Sequence, residues 1–338
     1  MRKIQVEQAI GMELCHDITE MRDGFKGPVF RRGHVIRQED VARLLDVGKR
    51  TVFVWEPEAG ELHEEDCARR MAAMVPVEGA HYTEPSEGKV LLFADQRGML
   101  RVDQDLLERI NSIGDLTIAT LPDHYPVEAG ARLASMRIVP LVTQERQILE
   151  AEALCAQRPL LRLLPYGEKK AGIVITGSEI YSGRIKDKFE PVLRAKLARF
   201  PGEIVGVTIC DDDLDGIVAA AEAHLAAGAD FLLFTGGMSV DPDDLTPTAI
   251  RQLGAEIITH GVPAQPGNMT LVAYLGETPI LGVPGAAISL PTTILDVLLP
   301  QIYAGERLTR QDLIRLADGG LCQMCKSCHW PNCTFGRY

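Results

Sequence analysis

The sequence predicts an α/β fold in which a three-layer domain with a mostly parallel sheet follows smaller N-terminal α+β domains. From Lys169 onward, short apolar runs alternate with segments whose apolar residues recur at helical spacing. This alternation is typical of a parallel sheet with helices on both faces. Residues 1–165 lack it and mix short strand-like runs, short helices and glycine-bearing turns. Residues 158–167 contain two prolines and one glycine, so we expect the linker between the two patterns there.

The overall composition excludes several classes of protein. The 338 residues are 46% hydrophobic and 24% charged, which is ordinary for a globular protein. The formal net charge is −12 and no lysine or arginine cluster is evident, so we expect no nucleic-acid binding. The first residues lack the apolar core of a signal peptide, and no run approaches the ~18 apolar residues of a membrane span. We therefore expect a cytoplasmic protein without membrane contact.

The composition shifts along the chain predict four parts. They are an N-terminal α+β region at 1–75, a small α+β, β-rich domain with its linker at 76–165, an α/β domain at 166–308, and a cysteine-rich tail at 309–338. Within the second part, the apolar runs at 89–94 and 99–102 flank a turn that contains Gly98. Two strand-like runs around a glycine turn predict a hairpin.

Five strands and four helices are predicted within the α/β domain. The strands are the apolar runs at 171–176, 203–210, 231–235, 255–258 and 279–283, and the helices lie after 187, at 214–225, at 246–253 and from about 286. Asp187 stands three residues before Glu190 and resembles the start of a capping box. Thr246 followed by Pro247 is typical of a helix N-cap with proline at the first helical position.

Four of these strands are followed by residues suited to a phosphorylated ligand. The four loops are Thr176-Gly177-Ser178-Glu179, Asp211-Asp212-Asp213, Thr235-Gly236-Gly237 with Asp243-Asp244 further along, and Pro284-Gly285. Ligands of parallel α/β folds bind at the carboxyl ends of the strands. Backbone N–H groups of a glycine turn can converge on an anion, and clustered carboxylates suit Mg²⁺. Each loop alone is an ordinary turn or cap, but four on one edge predict a metal-bridged phosphate site.

With these motifs the region 169–305 resembles the molybdopterin-binding domain shared by MogA, MoeA and the amino-terminal domain of CinA, a MoaB/Mog-like domain. The likeness rests on Thr176-Gly-Ser-Glu-Ile180, Gly183-Arg-Ile-Lys-Asp187, the aspartates 211–213, Thr235-Gly-Gly-Met-Ser239, Asp243-Asp-Leu-Thr-Pro247 and Val283-Pro-Gly285. Residues 1–165 are only loosely similar to the extra domains of MoeA. The resemblance implies molybdopterin as the ligand, a homo-oligomer, and a part in molybdenum cofactor biosynthesis or delivery.

The resemblance also implies roles for individual residues. Gly236, Gly237 and Ser239 would cradle the terminal phosphate of molybdopterin. The other pocket residues that it implies are Thr176, Gly177, Ser178, Glu179, Thr235, Met238, Pro284 and Gly285. The catalytic acids would be Asp212, Asp213 and Asp244, which would hold Mg²⁺ or position ATP and molybdate. The implied reactions are adenylylation of molybdopterin, as in MogA, or exchange of the adenylate for molybdate, as in MoeA.

Three positions depart from the MoeA pattern. Ser178 stands where MoeA usually has an aspartate, Asp241 where it usually has a glycine, and Asn268 where a Pro-Gly-Lys-Pro segment has its lysine. Because transferase chemistry is thought to use that acid and that lysine, a non-catalytic carrier or sensor that serves molybdoenzymes or other assembly proteins is an alternative. CinA-like proteins share the Asp-Asp-Leu-Thr stretch, so a CinA-like nucleotide pyrophosphatase is a third hypothesis.

The tail carries a separate metal-binding motif. Four cysteines follow one another as Cys322-x2-Cys325-x2-Cys328-x4-Cys333. In a cytoplasmic chain this pattern indicates a metal site before it indicates disulfides. Four thiolates suit an iron–sulfur cluster or a tetrahedral Zn²⁺, and the successive x2 spacings favour iron–sulfur. His329 lies inside the motif and could replace one cysteine, while Trp330 and Phe335 would shield the site or pack it on the domain.

Overall fold

The chain divides into two units, in a computed structural model that describes residues 2–22, 24–55, 58–238 and 244–337. The first unit comprises Met1–Asp95, Val102–Leu121 and Gly130–Arg162, and the second comprises Gln96–Arg101, Pro122–Ala129 and Leu163–Tyr338. Among the helices of the described residues, none is long and apolar enough to cross a bilayer. The division into four parts stays a prediction.

Short strands and, among the described residues, four helices precede the α/β domain. The strands are β1 (Arg2–Gln5), β2 (Ile18–Arg22), β3 (Phe25–Phe30), β4 (Thr51–Val54), β5 (Glu61–His63), β6 (Ala80–Tyr82), β7 (Lys89–Ala94), β8 (Gly98–Val102), β9 (Leu116–Thr120), β10 (Tyr125–Val127), β11 (Arg132–Ile138), β12 (Val142–Gln144) and β13 (Leu161–Pro165). The helices are α1 (Asp40–Asp46), α2 (Glu64–Met74), α3 (Gln104–Asn111) and α4 (Glu145–Cys155), with a 3-10 turn at Val6–Gln8. Strands β1 and β4, β2 and β3, and β5 and β12 form antiparallel pairs, and a four-stranded sheet is ordered β6-β7-β11-β9.

The predicted hairpin between residues 89–94 and 99–102 is wrong. Strand β7 pairs with β6 and β11, whereas β8 belongs to a different sheet ordered β10-β8-β13. Gly98 is required by that second sheet, because a Cβ there would lie 2.3 Å from the carbonyl oxygen of Leu164. The glycine thus marks a close approach of two backbones and not a hairpin turn.

A six-stranded sheet organises the second unit and bears out the predicted fold class. Its strands are β14 (Lys169–Thr176), β15 (Gly202–Cys210), β16 (Phe231–Thr235), β17 (Glu256–His260), β18 (Leu271–Leu275) and β19 (Thr278–Val283), in the order β15-β14-β16-β19-β18-β17. Strands β15, β14, β16 and β19 are parallel, and β18 runs antiparallel to both of its neighbours. Strand β18 was not predicted from the sequence, because a continuous apolar run does not distinguish a strand from a buried helix.

Helices cover both faces of this sheet. They are α5 (Ser178–Tyr181), α6 (Phe189–Leu197), α7 (Leu214–Ala226), α8 (Thr246–Gln252), α9 (Ile294–Tyr303) and α10 (Arg310–Arg315), with a 3-10 turn at Gly285–Ile288. Alternate residues of β14 point to opposite cores: Ile173 packs in the cluster with α6, α9 and α10, and Val174 in the cluster with α7 and α8. The last long helix begins at Ile294 and not near residue 286, because Thr293 caps it in a capping box with Asp296.

Candidate functional site

The loops predicted to bind a ligand leave one edge of the six-stranded sheet. Because β15, β14, β16 and β19 are adjacent and parallel, their carboxyl ends lie side by side. In that order they lead into the aspartates 211–213, the segment 176–179, the glycine turn at 235–238, and Pro284-Gly285. After β14 the chain forms β15, which pairs with one side of β14, and then β16, which pairs with the other side. The strand order therefore reverses at β14, and this edge includes a topological switch point, where α/β folds bind ligands.

The turn after β16 places two glycines in conformations that other residues avoid. Gly236 has a φ of +81° and Gly237 a φ of +54°. A Cβ on Gly236 would lie 2.1 Å from the carbonyl oxygen of Thr176, and a Cβ on Gly237 would lie 2.9 Å from Oγ1 of Thr246. Both the backbone conformation and the lack of space therefore require glycine. Backbone N–H groups of such turns form concavities that bind anions.

Three buried threonines hold this turn from behind. Oγ1 of Thr246 donates a hydrogen bond to the Gly236 carbonyl oxygen at 2.9 Å and lies 3.3 Å from Oγ1 of Thr176. Oγ1 of Thr176 lies 3.3 Å from the carbonyl oxygen of Thr235, to which it donates. All three threonines are at most 1% exposed. Thr176, predicted to line the pocket, thus supports the turn from within through its hydroxyl, and Thr235 takes part through its carbonyl oxygen.

The predicted N-cap role of Thr246 is wrong, and its supporting role was missed. Helix α8 begins at Thr246 after Leu245, and no side chain caps it. The hydroxyl of Thr246 turns back to the Gly236 carbonyl and does not accept a helix N–H. A threonine followed by a proline occurs both where the threonine caps the helix and where its hydroxyl donates to a preceding turn. Only the surrounding fold distinguishes these two roles.

The acidic turn after β15 is tied to the loop after β14. One oxygen of Asp212 accepts the backbone N–H of Ser178 at 2.8 Å, and Asp212 in turn donates its own N–H to Asp211 at 2.9 Å. Asp213 caps α7 by accepting the N–H of Gly216 at 2.8 Å. Asp212 is therefore the acid that joins two of the predicted loops. Cys210 beside it stays a thiol, because burial, reinforced by the charge of Asp213, raises its pKa.

The remaining predicted residues are split between the surface and the core. Ser178 and Glu179 are exposed, as is Gly285, whereas Pro284 is buried. Met238 is 6% exposed and packs against Gly282, where a Cβ would lie 2.2 Å from its Cε atom. Nε2 of His260 lies 3.1 Å from the Met238 carbonyl oxygen and donates to it. Met238 thus anchors the end of the glycine turn.

Part of the predicted site lies outside the described residues. Ser239, Asp241 and Asp243 belong to the segment 239–243, which the structure does not describe. Asp244 is described and half-buried. Within the described ranges, no three His, Cys, Asp or Glu side chains are close enough together to hold a metal ion. Mg²⁺ itself commonly takes only one or two carboxylates and completes its shell with phosphates and water.

The tail cysteines lie together on another part of the second unit. Cys322 is half-buried, and Cys325, Cys328 and Cys333 are exposed. All four line one cavity, together with His329 and Trp330. Phe335 is 2% exposed and packs in the core with α9 and α10, as its predicted packing role requires.

The family comparisons concern mainly the six-stranded sheet. Residues 172–304 match the family described as "Probable molybdopterin binding domain", and residues 3–56 match a domain of unknown function. Over 185 residues the chain is 27% identical to the molybdopterin molybdenumtransferase of Synechococcus elongatus. This match covers 52% of this chain and 46% of that protein. Over 90 residues the chain is 37% identical to a CinA-like protein of Mycobacterium sp. (strain MCS). This second match covers 26% of this chain and 21% of that protein.

Among solved structures, the tungsten cofactor synthesizing protein MoaB from Pyrococcus furiosus is 19% identical with a TM-score of 0.33. The match covers 40% of this chain and 93% of that chain. The chain spans less than half the length of the two curated relatives.

Proposed function

Since residues 172–304 match the family described as "Probable molybdopterin binding domain", we propose that this sheet edge binds molybdopterin through its phosphate. The protein would then act in molybdenum cofactor biosynthesis or delivery, in the cytoplasm. The observation that carries the proposal is the turn at Gly236 and Gly237, fixed from behind by buried Thr176 and Thr246. A turn that is already fixed loses little conformational entropy when it binds an anion. The relative named as a molybdopterin molybdenumtransferase supports the same ligand.

The turn supplies donors for the phosphate, and a neighbouring loop supplies positive charge. Backbone N–H groups at 236–238 would donate to the phosphate oxygens, while the exposed hydroxyl of Ser178 lies on the adjacent loop. Arg184 and Lys186 are exposed on the segment between α5 and α6, which leaves the same edge. Local donors and cations of this kind attract an anion even though the net charge of the chain is −12.

The acids would hold Mg²⁺ beside that phosphate. Asp212 stands between the loops after β14 and β15, and Asp213 and Asp244 would complete the acidic edge. In adenylyl transfer, a phosphate oxygen of molybdopterin attacks the α-phosphorus of ATP and pyrophosphate leaves. Mg²⁺ held by these acids would supply positive charge beside the transferred group, and the same acids would position molybdate if the adenylate is exchanged. We propose these transfers as the activity of the site.

A non-catalytic carrier is the second candidate. Ser178 and Asn268 are both exposed, and they replace an acid and a lysine of the MoeA pattern. Neither side chain supplies the charge that the pattern has at its position. The phosphate-binding turn is unaffected by these two differences, so binding without turnover is consistent with the same geometry.

Titration with molybdopterin under argon, followed by addition of Mg²⁺-ATP and molybdate, tests the proposal. We expect saturable binding to one site per chain, seen by calorimetry, and formation of adenylated or metallated pterin, seen by chromatography. Asp212→Asn should reduce turnover roughly 100-fold while binding changes little, since metal ions contribute several kcal/mol to such transition states. Asp215→Asn, on the exposed face of α7, is the matched control.

Three other outcomes discriminate between the candidates. Binding that saturates without any product supports the carrier. Hydrolysis of a dinucleotide with no affinity for the pterin supports the CinA-like alternative and contradicts the molybdopterin proposal. Equal turnover in the Asp212 and Asp215 variants would remove Asp212 from the metal site.

A further inference from the structure

The four tail cysteines face a single cavity in the second unit. The cavity measures about 190 Å³, and its lining includes Thr292, Cys322, Cys325, Cys328, His329 and Cys333. Apart from the thiols, its walls are largely apolar. A single water occupies roughly 10–15 Å³ on this scale, so the cavity accommodates a group much larger than one ion.

The loop that carries the cysteines is fixed at both ends. Before it, Leu321 forms a parallel bridge with Gln265, and the N–H of Cys322 donates to the Gln265 carbonyl oxygen at 2.8 Å. After it, Phe335 is buried against α9 and α10. Residues 323–334 between these anchors contain no helix or strand. The thiols therefore sit on a loop of fixed span over the domain, where a ligand can draw them inward without unfolding the core.

Two hydrogen bonds already reach the sulfur atoms. The backbone N–H of Met324 donates to Sγ of Cys322 at 3.4 Å, and Oγ1 of Thr292 lies 2.9 Å from Sγ of Cys328. Hydrogen bonds to ligand sulfurs stabilise thiolates and tune the clusters that they hold. Thr292 belongs to the segment between the end of β19 and α9, so the cavity lies against a segment that leaves the phosphate-binding edge.

We propose that Cys322, Cys325, Cys328 and Cys333 ligate one [4Fe–4S] cluster in this cavity. A zinc ion would gather four sulfurs about 2.3 Å from one point. The four thiols line one cavity of about 190 Å³, and among the described residues no three potential ligands form a group that could hold a single metal ion. In a cubane cluster each thiolate binds a different iron, so its ligands surround a volume. The shared cavity matches that requirement better than it matches a single ion.

The spacing supports one cluster and not two. In the bacterial ferredoxin pattern Cys-x2-Cys-x2-Cys-x3-Cys, the fourth cysteine ligates a second cluster. Here the last gap has four residues in place of three, and Cys333 lines the same cavity as the other three cysteines. Transfer of a preassembled cluster would exchange its four terminal thiolate ligands for the four tail thiolates, and the four protons of the tail thiols would pass to the departing thiolates. The cluster would be independent of whether the sheet edge binds a pterin.

Anaerobic reconstitution of the full chain tests the cluster. The protein is incubated with ferric iron, sulfide and dithiothreitol, where the dithiol supplies the two electrons that convert four ferric ions to a two-ferric, two-ferrous cluster. We expect about four iron and four sulfide per chain and a broad visible absorption that dithionite bleaches. One zinc per chain in place of iron, two iron with two sulfide, or no metal at all would each overturn the proposal.

Variants identify the ligands. Replacement of all four tail cysteines by alanine should reduce bound iron to background, whereas Cys155→Ser in the first unit should leave it unchanged. Circular dichroism shows whether each variant is folded. Cys325→Ser is a second test in case the fourfold variant does not fold. Because Cys325 is exposed, its replacement should reduce the bound iron without affecting the metal-free fold. Full iron in both tail variants would contradict the ligand assignment, and loss of iron in His329→Ala but not in Cys333→Ser would replace Cys333 by His329.

Discussion

The glycine turn and the cysteine loop lie in the same unit and are built in opposite ways. At the turn, the groups offered to a ligand are backbone N–H donors, and buried hydroxyls fix them from within. On the loop, the groups offered are side chains, three of the four thiols are exposed, and no helix or strand supports residues 323–334. The first site is shaped by the fold itself, whereas the second, if it holds the proposed cluster, would gain part of its order from that ligand.

This difference predicts whether a mutation at each site changes the stability of the ligand-free protein or only that of the metal-bound protein. A preformed backbone site shares its interactions with the core, so damage to it should appear as lost stability even without ligand. A site made of exposed side chains contributes little to the metal-free fold, so damage to it should appear only when the metal is present.

Gly236→Ala should have the largest effect. The new Cβ would lie 2.1 Å from the Thr176 carbonyl oxygen in a backbone conformation with positive φ. We expect the free energy of unfolding to fall by about 3 kcal/mol, from the left-handed conformation and overpacking together. Urea denaturation measures the change. Gly285→Ala is the control at the same edge, since its Cβ would meet nothing within 4 Å. Equal loss in both variants would contradict a preformed turn.

Thr246→Val should have a smaller effect of the same kind. Valine keeps the shape but removes the hydroxyl that donates to the Gly236 carbonyl oxygen. A buried carbonyl without its donor costs about 1–3 kcal/mol. Thr248→Val on the exposed side of α8 is the matched control. If both variants unfold at the same urea concentration, the hydroxyl does not hold the turn.

His224→Gln should weaken the acid sensitivity of the fold. His224 is 6% exposed beneath β14 and β15, and Nε2 lies 3.1 Å from the Ile173 carbonyl oxygen. Burial lowers its pKa below the ordinary value of 6.5, so the unfolded chain binds more protons in that range. Stability should thus fall as pH drops below 6.5 and level off below the folded-state pKa.

The pH dependence of urea denaturation in wild type and variant measures this contribution. His16 and His63 also have lowered pKa values through burial, so the slope should decrease in the variant and not vanish. Thr248→Val, on the exposed side of α8, changes no titratable group and is the control that should leave the slope unchanged. An unaltered slope in His224→Gln would mean that the histidine is not neutral in the folded state.

The sequence predicted the parts of the fold that depend on short periodic patterns. Strand β16 was predicted with its observed bounds, and the four loops at the sheet edge follow from parallel strand order. Gly98 was misread because a glycine at a hairpin and a glycine at a backbone contact look alike in sequence. Thr246 was misread for the same reason. A threonine before a proline looks the same in sequence whether it caps a helix or, as here, donates a hydrogen bond to the carbonyl of another loop residue. Both errors concern contacts between distant segments, which a local pattern does not contain.

Cys325→Ser should have the smallest effect on the stability of the metal-free protein. It therefore tests whether the cysteine loop, unlike the glycine turn, contributes little to the fold without its metal. Cys325 is exposed, and exposed substitutions usually change the unfolding free energy by within about 0.5 kcal/mol. Cys67→Ser is the contrast: Cys67 is 0% exposed, and a hydroxyl buried there without a partner should cost about 1–3 kcal/mol. After reconstitution, wild type should gain thermal stability that Cys325→Ser does not gain, because only a ligand of the folded state stabilises it by mass action. An equal gain in both proteins, followed by calorimetry, would show that the metal is bound elsewhere and that the loop needs no ligand for its order.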